Sequence, residues 1–228
     1  MKRIITIAIC CASLLLLVCC GNNKKAAGET GSEAETALAD SAALAAKEQQ
    51  TMDKIASLAE EPVFSIFTNF GEIKVKLYSG TPKHRENFAR LALSGFYDGV
   101  LFHRVILGFM IQTGDPFSKD ETLKASWGTG GPGYNVPAEF VPEYRHKKGA
   151  LAAARRGDAA NPLRESSGSQ FYIVQDEDAC AQLDGQYTVF GETVSGFEVI
   201  DKIARVATDQ RDRPTTPVKI ISIKLAEE

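Results

Sequence analysis

A mainly β domain with a closed sheet and two helices is predicted for most of this 228-residue chain, on three observations. From Pro62 onward, short apolar runs recur between clusters of glycine, proline and asparagine. Only two stretches there, near residues 82–94 and 196–205, carry the spacing of an amphipathic helix. The runs do not alternate with helices as repeated βαβ units would, which favours a closed β architecture.

The first element is an address. Lys2 and Arg3 precede seventeen largely apolar residues, Ile4 to Cys20, fewer than the roughly 20 that a spanning helix needs. A charged start and a short apolar run make an export signal. Its end, Leu17-Val18-Cys19-Cys20-Gly21, resembles the lipobox of bacterial lipoproteins, in which the signal is cut before a cysteine that then carries acyl chains. That resemblance implies a signal peptide over residues 1–19 and lipidation at Cys20. Several chains hold a protein on a membrane lastingly, at about 0.8 kcal/mol per buried methylene. Gly21 in place of Asp resembles the sorting pattern of the outer membrane. The expected location is therefore the bacterial cell envelope, lipid-anchored on the outer membrane and facing the periplasm. Cys180 is the one cysteine beyond residue 20, so the folded part is expected to have no internal disulfide.

Residues 20–61 read as a tether. The segment is rich in alanine and polar residues and has no aromatic before Phe64. It offers too little apolar surface to fold alone, although its Ala, Glu, Gln and Lys favour helix. A heptad with Leu38, Ala45, Met52 and Ala59 at one core position puts Ser41, Glu48 and Ile55 at the other, a poor zipper. No dimerising device follows from this segment, and a monomer is expected.

Residues 62–228 form the domain. Val63 to Phe67 reads as a strand, followed by a turn at Asn69 to Gly71. Ile73, Val75 and Leu77 then alternate with Lys74, Lys76 and Tyr78, the period of a half-buried strand. Thr81-Pro82 opens a helix, with Thr as N-cap and Pro at the first helical position; Phe88, Leu91 and Ala92 form its stripe and Gly95 ends it. Short strands are expected around 101–106, 109–113, 149–154, 170–175 and 187–190. A second helix over 196–205 has Val199, Ile200, Ile203 and Ala204 on one face, and Val218 to Leu225 closes the domain as a strand.

Several functions are excluded by pattern. A net charge of −3 lacks the concentrated positive face that nucleic acid requires. Gly168-Ser169-Gln170-Phe171 lacks the second glycine of a nucleophile elbow. His84, His103 and His146 have no partner at metal-ligand spacing, so no metal is expected. The stretch GTGGPGYNVPAEF, residues 128–140, neither follows a clear apolar strand nor opens a helix, so it reads as a surface loop and not as a phosphate cradle.

FHRVILGFMIQTGD, residues 102–115, is different. It sets Arg104 inside an apolar strand, which is costly without a task or a partner. Gly108 permits a tight turn, after which Met110 and Gln112 share one face. A guanidinium then stands beside an apolar pocket with an amide at its edge. An arginine merely paired with a carboxylate at a barrel rim fits the same residues.

Together, FHRVILGFMIQTGD, GSQFYIV (168–174) and LDGQYTVFG (183–191) resemble the cyclophilin family of peptidyl-prolyl cis–trans isomerases, and the 128–140 segment resembles its bacterial members. The resemblance implies a closed eight-stranded antiparallel β-barrel capped by two α-helices, acting on proline-containing polypeptides without a cofactor. It implies Arg104 as catalytic residue, and Phe109, Met110, Gln112, Ala154, Arg155, Gln170, Tyr172, Leu183 and Tyr187 as substrate-binding residues. Relatives often have Phe in place of Tyr172, His in place of Tyr187 and Asn in place of Arg155. Gln182 stands where relatives that bind cyclosporin tightly carry Trp. The function expected is isomerisation of X-Pro bonds during the folding of exported proteins. The alternative is a non-catalytic, proline-peptide-binding chaperone module. Arg145, Lys147, Lys148, Arg155, Arg156 and Arg164 suggest a basic rim on one side of the groove.

Overall fold

A computed structural model describes residues 30–227, with side chains from residue 41 onward. The expected signal peptide, Cys20 and the first residues of the tether lie outside the described residues. The chain divides at Ala42/Ala43 into two units. Described residues of the first are helical, part of α1 (Thr30–Ala56). No helix among the described residues is long and apolar enough to cross a membrane.

The second unit carries the sheet. Its strands are β1 (Val63–Thr68), β2 (Gly71–Leu77), β3 (Arg104–Ile106), β4 (Met110–Thr113), β6 (Ala150–Ala153), β8 (Phe171–Val174), β9 (Val189–Ser195) and β10 (Ile220–Leu225). They pair antiparallel in the order β10-β1-β2-β9-β6-β8-β4-β3. A separate two-residue pair joins β5 (Asn135–Val136) to β7 (Ser166–Ser167). The helices are α2 (Pro82–Leu93), the single turn α3 (Glu177–Cys180) and α4 (Phe197–Ala204). The short β5–β7 pair, α3 and the 3₁₀ turns at Pro116–Lys119, Glu121–Ser126 and Ala181–Leu183 are too short to leave a periodic signal.

The expected closed barrel is not formed: the sheet curls into a half-barrel whose edge strands, β3 and β10, do not pair with each other. The segment before β3 bridges part of the gap, with Phe102 N–H on Val218 O and Ile220 N–H on Val100 O, both at 2.9 Å. The ladder stops there because the outer edge of β3 is taken by the loop before β10: the Val105 N–H donates to Asp212 O at 2.8 Å.

Periodicity explains the layers. In β2 the alternation puts Ile73, Val75 and Leu77 inside with Lys74 and Lys76 outside. β6 and β8 are buried along their whole length. On one face Leu151, Ala153, Phe171 and Ile173 join the main core, where Phe88 of α2 meets Phe171 edge-on at 5.4 Å. On the other, Ala150, Ala152, Tyr172 and Val174 join Met110 in a second cluster. α4 buries Val199, Ile200, Ile203 and Ala204, the predicted face. Gly196 at its start has φ +91°, and a Cβ there would stand 2.3 Å from Glu72 O, so only glycine fits.

The start of α2 departs from expectation in one respect. Thr81 is the N-cap and Pro82 follows, but the Thr side chain does not cap; its hydroxyl turns back to Tyr78 O. The free N–H groups of Lys83 and His84 donate instead to Glu139, at 3.1 and 3.0 Å. The same carboxylate holds His84 Nδ1 at 2.6 Å, and His84 Nε2 meets Ser166 Oγ at 2.9 Å. Burial raises the Glu139 pKa, but hydrogen bonds from the His84 ring and from the His84 and Lys83 backbone outweigh it and leave a net lowering from 4.5. A carboxyl lowered on folding stabilises the native state above its unfolded pKa and loses that contribution as pH falls through the folded one. Glu139→Gln should cost about 1–2 kcal/mol at pH 7 and flatten the decline in stability below pH 4.5. Urea denaturation at pH 7 and across the acid range measures both.

Candidate active site

The site lies on the face of β4, β6 and β8 that the main core does not use. Arg104 of β3 stands directly opposite Gln112 of β4 in the ladder. Its side chain is 43% exposed, with Nε 3.7 Å from Asp212 Oδ2. The guanidinium is therefore not buried, and the desolvation cost expected of an arginine in an apolar strand does not arise. Two positions on, Met110 shares the Gln112 face and is 2% exposed, flooring a pocket of about 310 Å³. Phe109 enters from the β3–β4 turn, Tyr172 from β8, Leu183 and Tyr187 from the segment before β9, and Ala154 and Arg155 from the end of β6. Nine of the ten predicted residues of the groove thus line one pocket.

Gln170, the tenth, stands behind it. Its Oε1 accepts from Gln112 Nε2 at 3.1 Å, and its Nε2 donates to the carbonyls of Gly128 and Gly130 at 3.1 and 2.8 Å. Gln170 fixes which way the Gln112 amide faces, and it lines a wider groove of about 940 Å³ that shares Gln112, Ala154 and Arg155 with the pocket.

Ala154 and Arg155, both expected to bind substrate, differ in their backbone groups. The Ala154 N–H donates to Gln170 O at 3.0 Å and its carbonyl accepts from Ser167 N at 2.7 Å. The Ala154 N–H is thus already paired, whereas the N–H and carbonyl of Arg155 have no protein partner among the described residues. The Arg155 side chain is 4% exposed. It lies 4.5 Å over the Tyr187 ring, a cation–π stack, and donates to Gln186 O and Asp158 Oδ1 at 2.8 and 2.6 Å. Asp158 also binds Arg164 at 2.7 Å, which pins the loop after Arg156.

The expected basic rim is largely neutralised. Arg145 pairs with Asp184, Lys147 with Glu192 and Lys148 with Asp201. Cations reach the pocket from another direction, as Arg211 and Arg213 of the loop before β10 line it. Arg213 stacks on Trp127 at 5.7 Å, and Trp127 and His103 complete the wall. Burial pushes the His103 imidazole down to about 4 against the pull of Asp115, so it is neutral at pH 7. His103 is legible beside Arg104, and Trp127 beside the glycine-rich loop. Nothing in the local sequence announces Arg211 and Arg213, which lie far along the chain. Gln182, where a Trp would stand in tight cyclosporin binders, is exposed, with its amide on Ala179 O.

The glycine-rich stretch is more than a surface loop. Asp115, with no exposed surface, accepts from Phe117 N at 2.8 Å, from Gly130 N at 3.2 Å and from Gly128 N. Gly114 before it has φ +92°, and a Cβ there would stand 2.2 Å from Ser169 O. One buried carboxylate thus holds the loop whose carbonyls orient Gln170 and, through it, Gln112. Asp115→Asn turns an acceptor edge into a donor facing N–H groups and should cost about 2–3 kcal/mol of stability. It should also lower the peptide affinity of the groove, read by thermal unfolding and by titration with a proline-containing peptide.

The comparisons agree on a family. The "Cyclophilin type peptidyl-prolyl cis-trans isomerase/CLD" profile matches residues 63–225. A probable peptidyl-prolyl cis-trans isomerase A from Mycobacterium leprae is 40% identical over 188 residues, covering 75% of this chain and 95% of its own length. Peptidyl-prolyl cis-trans isomerase-like 1 from Aspergillus fumigatus is 39% identical, covering 75% and 98%. Peptidyl-prolyl cis-trans isomerase-like 2 from Rhizopus delemar is 38% identical, but this chain spans only 28% of that longer protein. A crystal structure of a Cryptosporidium parvum cyclophilin type peptidyl-prolyl cis-trans isomerase superposes with a TM-score of 0.65 at 31% identity, covering 74% of this chain and 99% of that one. A second structure of that protein, obtained in the presence of the dipeptide Ala-Pro, gives 0.64 at 31% identity, covering 73% and 99%. With a half-barrel of the same fold, a family profile over residues 63–225 and relatives of near-equal domain length, this chain belongs to the cyclophilin-type peptidyl-prolyl cis-trans isomerases.

Proposed function

We propose that the groove isomerises X-Pro bonds with Arg104 as the catalytic residue, in exported proteins that fold at the cell envelope. The observation that carries the reading is the pairing of Arg104 with Gln112 across β3 and β4, at the edge of an apolar pocket floored by Met110. Rotation about an X-Pro bond faces about 18–20 kcal/mol, because amide resonance is broken as the peptide twists. In the twisted state the prolyl nitrogen regains a lone pair. Arg104 donates a hydrogen bond to it that neither planar ground state can accept, so the interaction lowers the barrier and not merely the ground state. Met110, Phe109, Tyr172, Leu183 and Tyr187 hold the ring. The Gln112 amide and the Arg155 backbone hold the flanking peptide. A gain of about 5 kcal/mol in the twisted state corresponds to more than a thousandfold in rate.

Arg104 is well suited to this. Its guanidinium stays charged and planar, and its loose contact with Asp212, 3.7 Å away and half-exposed, is weak enough to yield to a substrate. Arg104→Ala should lower kcat/KM for a short Xaa-Pro peptide by about a hundredfold or more, and Arg104→Lys should recover only part of it. A protease-coupled isomerisation assay on the full chain reads this; equal rates for wild type and Arg104→Ala would remove the proposed catalyst.

The envelope setting is supported by Lys2, Arg3, the apolar run and the Leu17–Gly21 pattern. In this reading Cys20 carries the lipid, the 21–61 segment spaces the domain from the membrane, and the clients are proline-containing chains arriving unfolded. Labelled palmitate should enter the wild-type chain in a bacterial host and be absent from Cys20→Ala, which should also leave the membrane fraction. Unlabelled wild-type protein in the soluble fraction would rule out the anchor.

A further inference from the structure

Behind the proline pocket runs a row of polar groups that catalysis by Arg104 does not use. Tyr172 reaches the pocket from β8 with its side chain 4% exposed. Its hydroxyl lies 2.9 Å from Nε2 of His146, itself buried. Nδ1 of the same ring lies 2.7 Å from Asp184 Oδ1, which also accepts the His146 backbone N–H at 2.9 Å. Asp184 Oδ2 takes Arg145 at 3.2 Å. An ionised carboxylate only accepts, so Nδ1 carries the hydrogen. The neutral ring then offers Nε2 as an acceptor, and the Tyr172 O–H donates to it. The two rings stack 13° from parallel with centroids 6.0 Å apart, and Tyr172 meets Tyr187 edge-on at 6.1 Å. The Tyr172 ring, which packs on Tyr187, is thus tied at its far end by one hydrogen bond to one imidazole. A phenylalanine at this position would be held by packing alone.

We propose that His146 and Asp184 are positioning residues for the proline pocket, acting through the Tyr172 hydroxyl, and that the grip on the prolyl ring depends on the protonation of His146. The proposal rests on reading this groove as the prolyl site. His146 faces Asp184 on one side and Tyr172 on the other. Tyr172 is faced in turn by Cys180 of α3, by Tyr187, by Arg155 and, further off, by Asp184, while Arg145 closes the row on the outer side of Asp184. Burial raises the Tyr172 phenol, and burial with Asp176 and Asp184 pushes the Cys180 thiol up to about 12. Asp184 is held below the ordinary carboxylate value: burial opposes this, and the His146 and Arg145 hydrogen bonds outweigh it. His146 is thus the member of the row that gains a charge as pH falls below its lowered titration. Burial lowers its pKa from 6.5 against the pull of Asp184.

Protonation turns Nε2 from acceptor to donor. The Tyr172 oxygen then receives a hydrogen and must turn its own away from His146, giving up the bond it donated. The neutral, gripping arrangement is complete above the His146 titration and is lost as pH falls through it.

The test is the ratio of KM at pH 5 to KM at pH 8 for a short Xaa-Pro peptide, measured on the full-length wild type, His146→Gln and Tyr172→Phe. Wild type should show a rise of about three- to tenfold with a smaller change in kcat, the size of one lost hydrogen bond. Both variants should give a ratio near one, whatever their activity at pH 8. Glutamine accepts from the hydroxyl without titrating, and phenylalanine has no hydroxyl to release. His103, the other buried histidine at the pocket, is pushed down to about 4 by burial and stays in all three proteins. A rise of the same size in all three overturns the proposal and leaves the prolyl-site reading standing. A wild type inactive at every pH overturns the prolyl-site reading and the proposal with it.

Discussion

Two short strands, β6 and β8, are buried on both faces at once, and the rest of the domain is arranged around that requirement. Strands of this kind have no solvent side on which to hide polar residues. One face of each is filled by the main core under α2, where Phe88 packs edge-on against Phe171. The other face needs a second cover, which the Met110–Tyr172–Val189 cluster supplies. The pocket is the part of that second cluster left open to solvent. Met110 and Ile111 are neighbours in sequence yet belong to different clusters, so any change of register in β4 would exchange core for site.

Around this apolar frame, buried polar groups do the aiming. Asp115 gathers three backbone N–H groups and so holds the 128–130 turn; that turn presents two carbonyls to Gln170, and Gln170 sets Gln112. Glu139, at the far end of the same glycine-rich stretch, caps α2 and orients His84. A single loop therefore links the helix that covers the core to the amide at the rim of the pocket. Each member is satisfied, which is the condition under which a buried polar network specifies one arrangement.

Elements with a clean period were legible in the chain. The apolar stripe of α4 and the alternation from Ile73 to Leu77 in β2 matched the buried faces, because one side of each faces water; Tyr78, read on the lysine side, is buried in the second cluster just after the strand ends. The motif positions from Arg104 to Tyr187 gathered at one pocket for the reason that motifs work at all: β-pairing brings Gln112 opposite Arg104 and Tyr172 opposite Gln112. What was hidden is long-range. Nothing local at residues 209–213 tells that Asp212 meets Arg104, nor at Glu139 that it replaces Thr81 as the cap of α2. Barrel closure failed for a similar reason: the outer edge of β3 is taken by the loop before β10, with the Val105 N–H on Asp212 O, a contact that no local pattern announces.

The pairing of β1 with β10 has a consequence for timing. Phe64 lies opposite Leu225, so the first strand of the domain is completed by the last. A chain that emerges from its amino end shows β1 long before β10 exists, and for that interval β1 has only β2 as a neighbour. Closing so long a loop costs entropy before any contact repays it. Strand order thus works as a clock: the sheet is not complete until nearly the whole chain is out, and until then the first strand keeps one edge unpaired.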